Sequence, residues 1–194
     1  MMIKRLTLSC LAFALCLASV SSVDAQAREY TINNGRATFA SDAPLEEING
    51  VSQRVSGSFQ LDPASLAGTT GTVQVPVASI RTGIDLRDEH LQGANWLNAS
   101  AHPNLTLEVT GIQGATSLEE GGRADCTIVG RMTVRGTTRP VRVRARAQMR
   151  DGAISVRARW RIQLSDFGVS IPAAVQAKVA NEITLSVNIR ASAG

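Results

Sequence analysis

Residues 141–162 leave a chain few choices. Val141, Val143, Ala145 and Ala147 alternate with Arg142, Arg144 and Arg146. Asp151-Gly152 follows, and then Ile154, Val156, Ala158, Trp160 and Ile162 alternate with Ser155, Arg157, Arg159 and Arg161. Period two is the side-chain period of a β-strand, whose successive residues point to opposite faces. An Asp-Gly pair between two such runs marks a two-residue hairpin. The stretch therefore predicts two antiparallel strands, apolar on one face and cationic on the other.

The same period recurs along the chain. Val55, Gly57, Phe59 and Leu61 alternate with Ser56, Ser58 and Gln60, and the run stops at Asp62-Pro63, where proline ends pairing. Val73, Val75 and Val77 alternate with Thr72, Gln74 and Pro76. Leu105, Leu107 and Val109 alternate with Thr106, Glu108 and Thr110. Cys126, Ile128, Gly130, Met132 and Val134 form one face of a further run, and Ile183, Leu185, Val187 and Ile189 one face of the last. Arg36–Ser41, centred on Phe39, reads as another strand. Before it, Asn33-Asn34-Gly35 reads as a hairpin turn; after it, Asp42–Ser52 reads as a loop or frayed edge. Gly111–Gly122 reads as a loop and Gly136–Pro140 as a turn.

Between Ile80 and Pro103 the alternation lapses. Thr82-Gly83 breaks an extended run, Asp85–Leu91 permits a short helix, and His102-Pro103-Asn104 is a turn. This reads as a crossover capping one end of a sheet. Ala173–Ala180 permits one or two helical turns. No long amphipathic helix and no internal repeat occurs. Seven or eight strands joined mostly by hairpins are antiparallel. Eight strands at this length close into a barrel, which removes exposed edges; a two-sheet sandwich is the alternative. The fold class expected is all-β, an antiparallel eight-stranded extended barrel with short helical segments at one end.

The first 25 residues read as a secretory signal peptide. Lys4 and Arg5 precede an apolar run from Leu6 to Val20, and Val23-Asp24-Ala25 offers small residues for cleavage. Cys10 and Cys16 lie poorly for a lipid anchor. The remaining chain, about 168 residues, suits one domain, taken as 28–192. Its one cysteine, Cys126, forms no internal disulfide and reads as a small buried hydrophobe. The expected location is the periplasm.

By alternation the inward set is Phe39, Phe59, Val73, Val75, Leu105, Leu107, Ile128, Met132, Val134, Val143, Val156, Trp160, Ile162, Leu185 and Val187. It is apolar throughout and poor in large aromatics. Alternation alone leaves open whether these residues fill the barrel or line a cavity. A cavity so lined suits a long apolar molecule, because nothing inside satisfies a polar one. Outside, eleven arginines fall between Arg123 and Arg161 against two acids, Asp125 and Asp151. Such a face is either a solvated wall or a contact surface for an anionic membrane or acidic protein.

Motifs for chemistry are sparse. His90 and His102 match no metal-ligand spacing. Asp88 with His90 makes an acid–base pair conceivable, although capping and solvation explain both. Phosphate loops, a nucleophile elbow and paired cysteines are missing from the sequence. No catalytic residue, metal or cofactor is assigned. The basic stretch lacks interleaved aromatics, which argues against nucleic acid.

Several ordered segments resemble the YceI-like family of bacterial secreted proteins. They are Val55-Ser56-Gly57-Ser58-Phe59 with Asp62-Pro63, Ala78–Gly83, Arg87–Leu91, Asn95–Ala99 with His102-Pro103, Gly130–Val141, and Asp166-Phe167-Gly168-Val169. The resemblance spans about Tyr30 to Ala191. Departures are Trp96-Leu97, where the family usually has two aromatics, Asn98 in place of an acid, and Gln163-Leu164 where an arginine often stands. The resemblance implies a lipocalin-like barrel that binds polyisoprenoids or similar long-chain amphiphiles. The expected function is a periplasmic carrier and not an enzyme, with Trp96, Phe167 and the inward residues other than Val73 and Val187 as ligand contacts. Thr82, Arg87, Asp88 and His90 are the expected head-group residues. The alternatives are an enzyme acting on a lipid headgroup through Asp88 and His90, and a basic adaptor. The expected partner is an isoprenoid or acyl lipid, with an anionic membrane surface and a homodimer left open.

Overall fold

The computed structural model describes residues 26–194; the expected signal peptide lies outside the described residues. The strands are β1 (Arg28–Asp42), β2 (Glu47–Ser52), β3 (Ser56–Asp62), β4 (Ser65–Pro76), β5 (Asn104–Gln113), β6 (Arg123–Val134), β7 (Thr137–Arg150), β8 (Ala153–Gln163) and β9 (Glu182–Ala193). One helix, α1 (Asp85–Gln92), lies between β4 and β5. Every pairing is antiparallel, and neighbours follow chain order from β3 to β9. β9 then returns to β1, from Tyr30↔Ala193 to Ser41↔Ile183, and closes the sheet.

β2 and β3 pair with the same edge of β1, the first along Ala37–Asp42 and the second along Arg28–Thr31. The register runs on unchanged across the break at Gln53–Val55, so the two segments fill one strand position. The result is a closed antiparallel barrel of eight strand positions, as the alternation predicts.

Three local readings are corrected. Asn33-Asn34-Gly35 is not a turn; it lies inside β1 as a bulge against β9, between Ile32 and Asn34. The short-range turn signal yields there to the pairing of Asn34 and Gly35 with β9, and the extra residue eases the bend. Gly35 is needed because a Cβ would overlap the Val55 side chain at the break in the opposite strand. Asp42–Ser52 is mostly strand, with a tight turn only at Ala43–Glu46, where two backbone bonds of 3.1 and 3.3 Å join Ala43 and Glu46. The β6–β7 turn is Arg135-Gly136, and Pro140 sits in β7 opposite Arg131. Both residues of that turn have positive φ (48° and 75°), as do Asp151-Gly152 (53° and 69°), the pattern of the tight primed hairpin turns.

The two ends of the barrel differ. One end carries the turn at 62–65, the 114–122 loop and the β7–β8 hairpin. It is plugged by a cluster containing Leu66, Leu118, Met149, Ile154 and a stacked Tyr30–Phe59 pair with ring centroids 5.7 Å apart. The plugging loop is fastened by Leu118 N–H to Pro63 O (2.8 Å) and Leu66 N–H to Thr116 O (2.9 Å). The other end carries the 43–46 turn, the 77–103 crossover with α1, and the 164–181 loop, packed on Val77, Ile80, Leu97, Val134, Ile162 and Phe167.

Outside, like charges stand directly opposite each other, with Arg144 paired with Arg159 and Arg146 with Arg157. Such neighbours repel unless something anionic compensates them.

Gly57 is the position where closure tolerates least. Its φ is 135°, and a Cβ would overlap the Thr72 carbonyl oxygen on β4. Gly57→Ala is expected to cost at least about 2 kcal/mol in urea unfolding, with a lower midpoint and an unchanged slope.

Candidate ligand cavity

Alternation puts one face of every strand inside, and side-chain size decides how full that inside is. Bulky residues are interspersed with Ala37, Gly50, Cys126, Ala147 and Ala158. The small members leave an open lumen of about 540 Å³, within the range of small-molecule sites. It runs from Leu66, Ile112 and Leu118 at the plugged end to Ile84, Leu86, His90, Pro172, Val175 and Lys178 at the other.

Most of the residues expected to contact a ligand meet on this surface. Phe39, Phe59, Val75, Trp96, Leu105, Leu107, Ile128, Met132, Val134, Val156, Trp160, Ile162 and Leu185 all line it. Val143 and Phe167 do not. Val143 is fully enclosed in the wall, and Phe167 is buried in the cluster at the open end, against residues such as Leu97 and Ile162. Ile84, Leu86, Pro172, Val175 and Val179 line the lumen but lie outside the strands. No periodicity marks them, so alternation does not find them. Ile112 and Leu66 extend strand patterns past their clearest stretch.

Several polar side chains in the lining are already engaged. Thr69 Oγ1 donates to Leu66 O (2.8 Å). Ser41 Oγ accepts from Ala180 N–H (2.9 Å), and Ser52 Oγ bonds Ser79 Oγ (2.7 Å). Trp160 Nε1 is buried with no partner among the described residues, but its ring still presents carbon to the lumen. The deep lining thus offers carbon to any occupant, and an unsatisfied polar group placed there is penalised.

Cys126 is a free, buried thiol on the same surface. Burial pushes its pKa above the ordinary thiol value, and the nearby Asp125 charge pushes it further in the same direction.

Three of the four expected head-group residues stand at the mouth: Thr82, Arg87 and His90 line the lumen. Asp88 does not. It is 6% exposed and accepts from Thr82 N–H (2.8 Å) and Thr82 Oγ1 (2.6 Å), with Arg81 Nε 3.9 Å away. Arg87 donates to Thr82 Oγ1 (3.0 Å), Thr82 O (3.1 Å) and Glu46 Oε1 (2.6 Å). This network ties α1 to the 43–46 turn. Arg81 and Val51 exchange backbone bonds of 2.8 and 2.9 Å, which fasten the crossover to β2. Arg135 clamps the opposite side, donating to Gly168 O (2.7 Å) and Ala94 O (2.9 Å). α1 has no side-chain N-cap, so these ties hold it in place. Among the described residues no hydrogen bond joins Asp88 to His90, and no cluster of metal-ligating side chains forms.

A family model for the YceI-like domain matches residues 23–191. The chain belongs to the YceI-like family. Its relatives include a UPF0312 protein of Azotobacter vinelandii, 29% identical over 140 residues and 70% of each chain. A UPF0312 protein of Shewanella baltica is 30% identical over 149 residues, 74% of this chain and 73% of the relative. Among solved structures, Burkholderia cenocepacia BcnA superposes with a TM-score of 0.72 at 19% identity, covering 81% of this chain and 96% of that one. A polyisoprenoid binding domain from Saccharophagus degradans gives 0.68 at 13% identity, with coverages of 85% and 98%. At these identities the structures establish the shared barrel.

The raised thiol pKa sets a pH dependence. Cys126 ionises at higher pH than an ordinary thiol, so its alkylation lags and climbs later as pH rises. At pH 8, iodoacetamide is expected to modify Cys126 at least about tenfold more slowly in the folded protein than in urea. Peptide mass spectrometry of the Cys126 peptide reads both rates.

Proposed function

We propose that this YceI-like protein is an exported carrier that holds one isoprenoid or acyl chain in the barrel and performs no chemistry on it. The observation that carries the reading is the lumen itself: a long channel lined predominantly by apolar side chains. A hydrocarbon tail lies against the carbon lining, while a polar head stays at the mouth near Arg87, His90 and Lys178. The Saccharophagus domain, a polyisoprenoid binder on the same barrel, supports the ligand class. The leader-like first 25 residues support export to the periplasm. The carboxylate of Asp88 is held by Thr82 and is not poised on His90, which weighs against headgroup chemistry.

Native mass spectrometry of protein purified from an expressing cell tests this. The expected result is an added mass that organic extraction releases as a long-chain lipid. Ala158→Trp, which fills the lumen, is expected to come out empty while still folded. A lipid-free protein that also refuses a fluorescent acyl chain contradicts the reading.

A second reading concerns the outer wall. Asp125 takes Arg146 at 2.7 Å and Glu182 takes Arg161 at 3.3 Å, but Arg144, Arg157 and Arg159 have no salt-bridge partner among the described residues. Docking on an anionic membrane would relieve the repulsion between the facing arginines. Binding to phosphatidylglycerol vesicles is then expected to weaken steeply with salt and to vanish in Arg144→Glu/Arg159→Glu. Equal binding by that variant rules this reading out.

A further inference from the structure

Leu45, Ile84 and Leu86 are the large apolar side chains left exposed among the described residues, at 72%, 52% and 61%. All three stand at the open end. Leu45 is the tip of the 43–46 turn; Ile84 and Leu86 flank the start of α1. Ile84 and Leu86 also line the lumen, so the apolar lining reaches the outer rim at these two side chains.

The tips are held in place. Leu45 N–H donates to Ala177 O (3.0 Å), joining its turn to the loop that carries Pro172, Val175 and Val179 into the lumen. The Arg87–Glu46 pair at 2.6 Å joins the same turn to α1. An exposed apolar group fixed in this way loses little freedom when it is buried against a partner.

We infer that this rim is a bilayer-contact surface: Leu45, Ile84 and Leu86 enter the apolar layer of a membrane mouth-down, so that the lumen opens directly into lipid. The inference rests on the carrier reading for its purpose, since a chain leaving a bilayer for the lumen then never crosses water. A second copy is the less fitting occupant. Three side chains expose only a few hundred Å², against about 800 Å² per partner in a stable dimer. The exposed charges around the tips are net acidic, Arg81 and Lys178 against Asp42, Glu47, Asp85 and Glu89. Contact through the rim therefore depends on apolar insertion and not on anionic lipid, which separates it from any docking through the arginine wall.

The test uses zwitterionic phosphatidylcholine vesicles at high salt, with the variant Leu45→Asp at the rim position that does not line the lumen. Leu45 is exposed, so the variant is expected to keep its melting temperature. The unaltered protein is expected to float with the vesicles and to take a fluorescent acyl chain from them. The variant is expected to do both at least about tenfold less well, yet to fill equally when the chain is delivered from cyclodextrin. Equal flotation and transfer by the two proteins overturns the inference. So does failure of the unaltered protein to float, or sedimentation showing a dimer that the variant abolishes. If neither protein fills from cyclodextrin but only the unaltered one floats, the carrier reading fails and the bilayer contact stands.

Discussion

Everything in this structure follows from the pairing of β1 with β9. From Tyr30 to Ser41 the first strand lies against the last and turns an open sheet into a wall without edges. Once the wall is closed, period-two alternation has one meaning throughout: apolar residues go in and polar ones go out. The outward set then cannot avoid itself, which is why arginines face arginines on β7 and β8. The inward set cannot avoid itself either, and its smaller members decide that the interior stays open.

Closure alone does not make a container; the ends do. At one end a short loop lays Leu118 over the barrel and is bonded to the turn beside it. At the other, the segment from Val77 to Pro103 forms a crossover whose Ile84, Leu86 and His90 edge the opening. Asp88 is central to this, although it touches no lumen. Buried and hydrogen-bonded, it holds Thr82, Thr82 holds Arg87, and Arg87 reaches Glu46 on the far turn. A carboxylate that looks chemical in one dimension acts here as an internal brace.

Alternation made β5 to β9 and the strand-borne apolar wall of the lumen legible in the sequence, because side-chain direction in a strand depends on position alone. It failed where neighbours distant in the chain decide. Asn33-Asn34-Gly35 has the composition of a turn, yet pairing with β9 holds it in the strand. Glu47–Ser52 looks like a loop, yet it completes the edge of β1. Val143 has the right parity but is covered by its neighbours, and Phe167 lies outside the strands, so parity says nothing about it. The rim residues Ile84 and Leu86 were hidden for the same reason: they flank a helix whose orientation is set by hydrogen bonds to other segments.

The central claim is that the barrel interior is an apolar channel able to admit a hydrocarbon tail. Locating the tail tests it most directly. A terminally brominated acyl chain diffused into crystals of the protein marks its own end by anomalous scattering. The account places the bromine deep inside, near Ile112 and Leu118, with the head left at the mouth by Arg87 and His90. Bromine found only on the outer wall, or nowhere in the barrel, contradicts it.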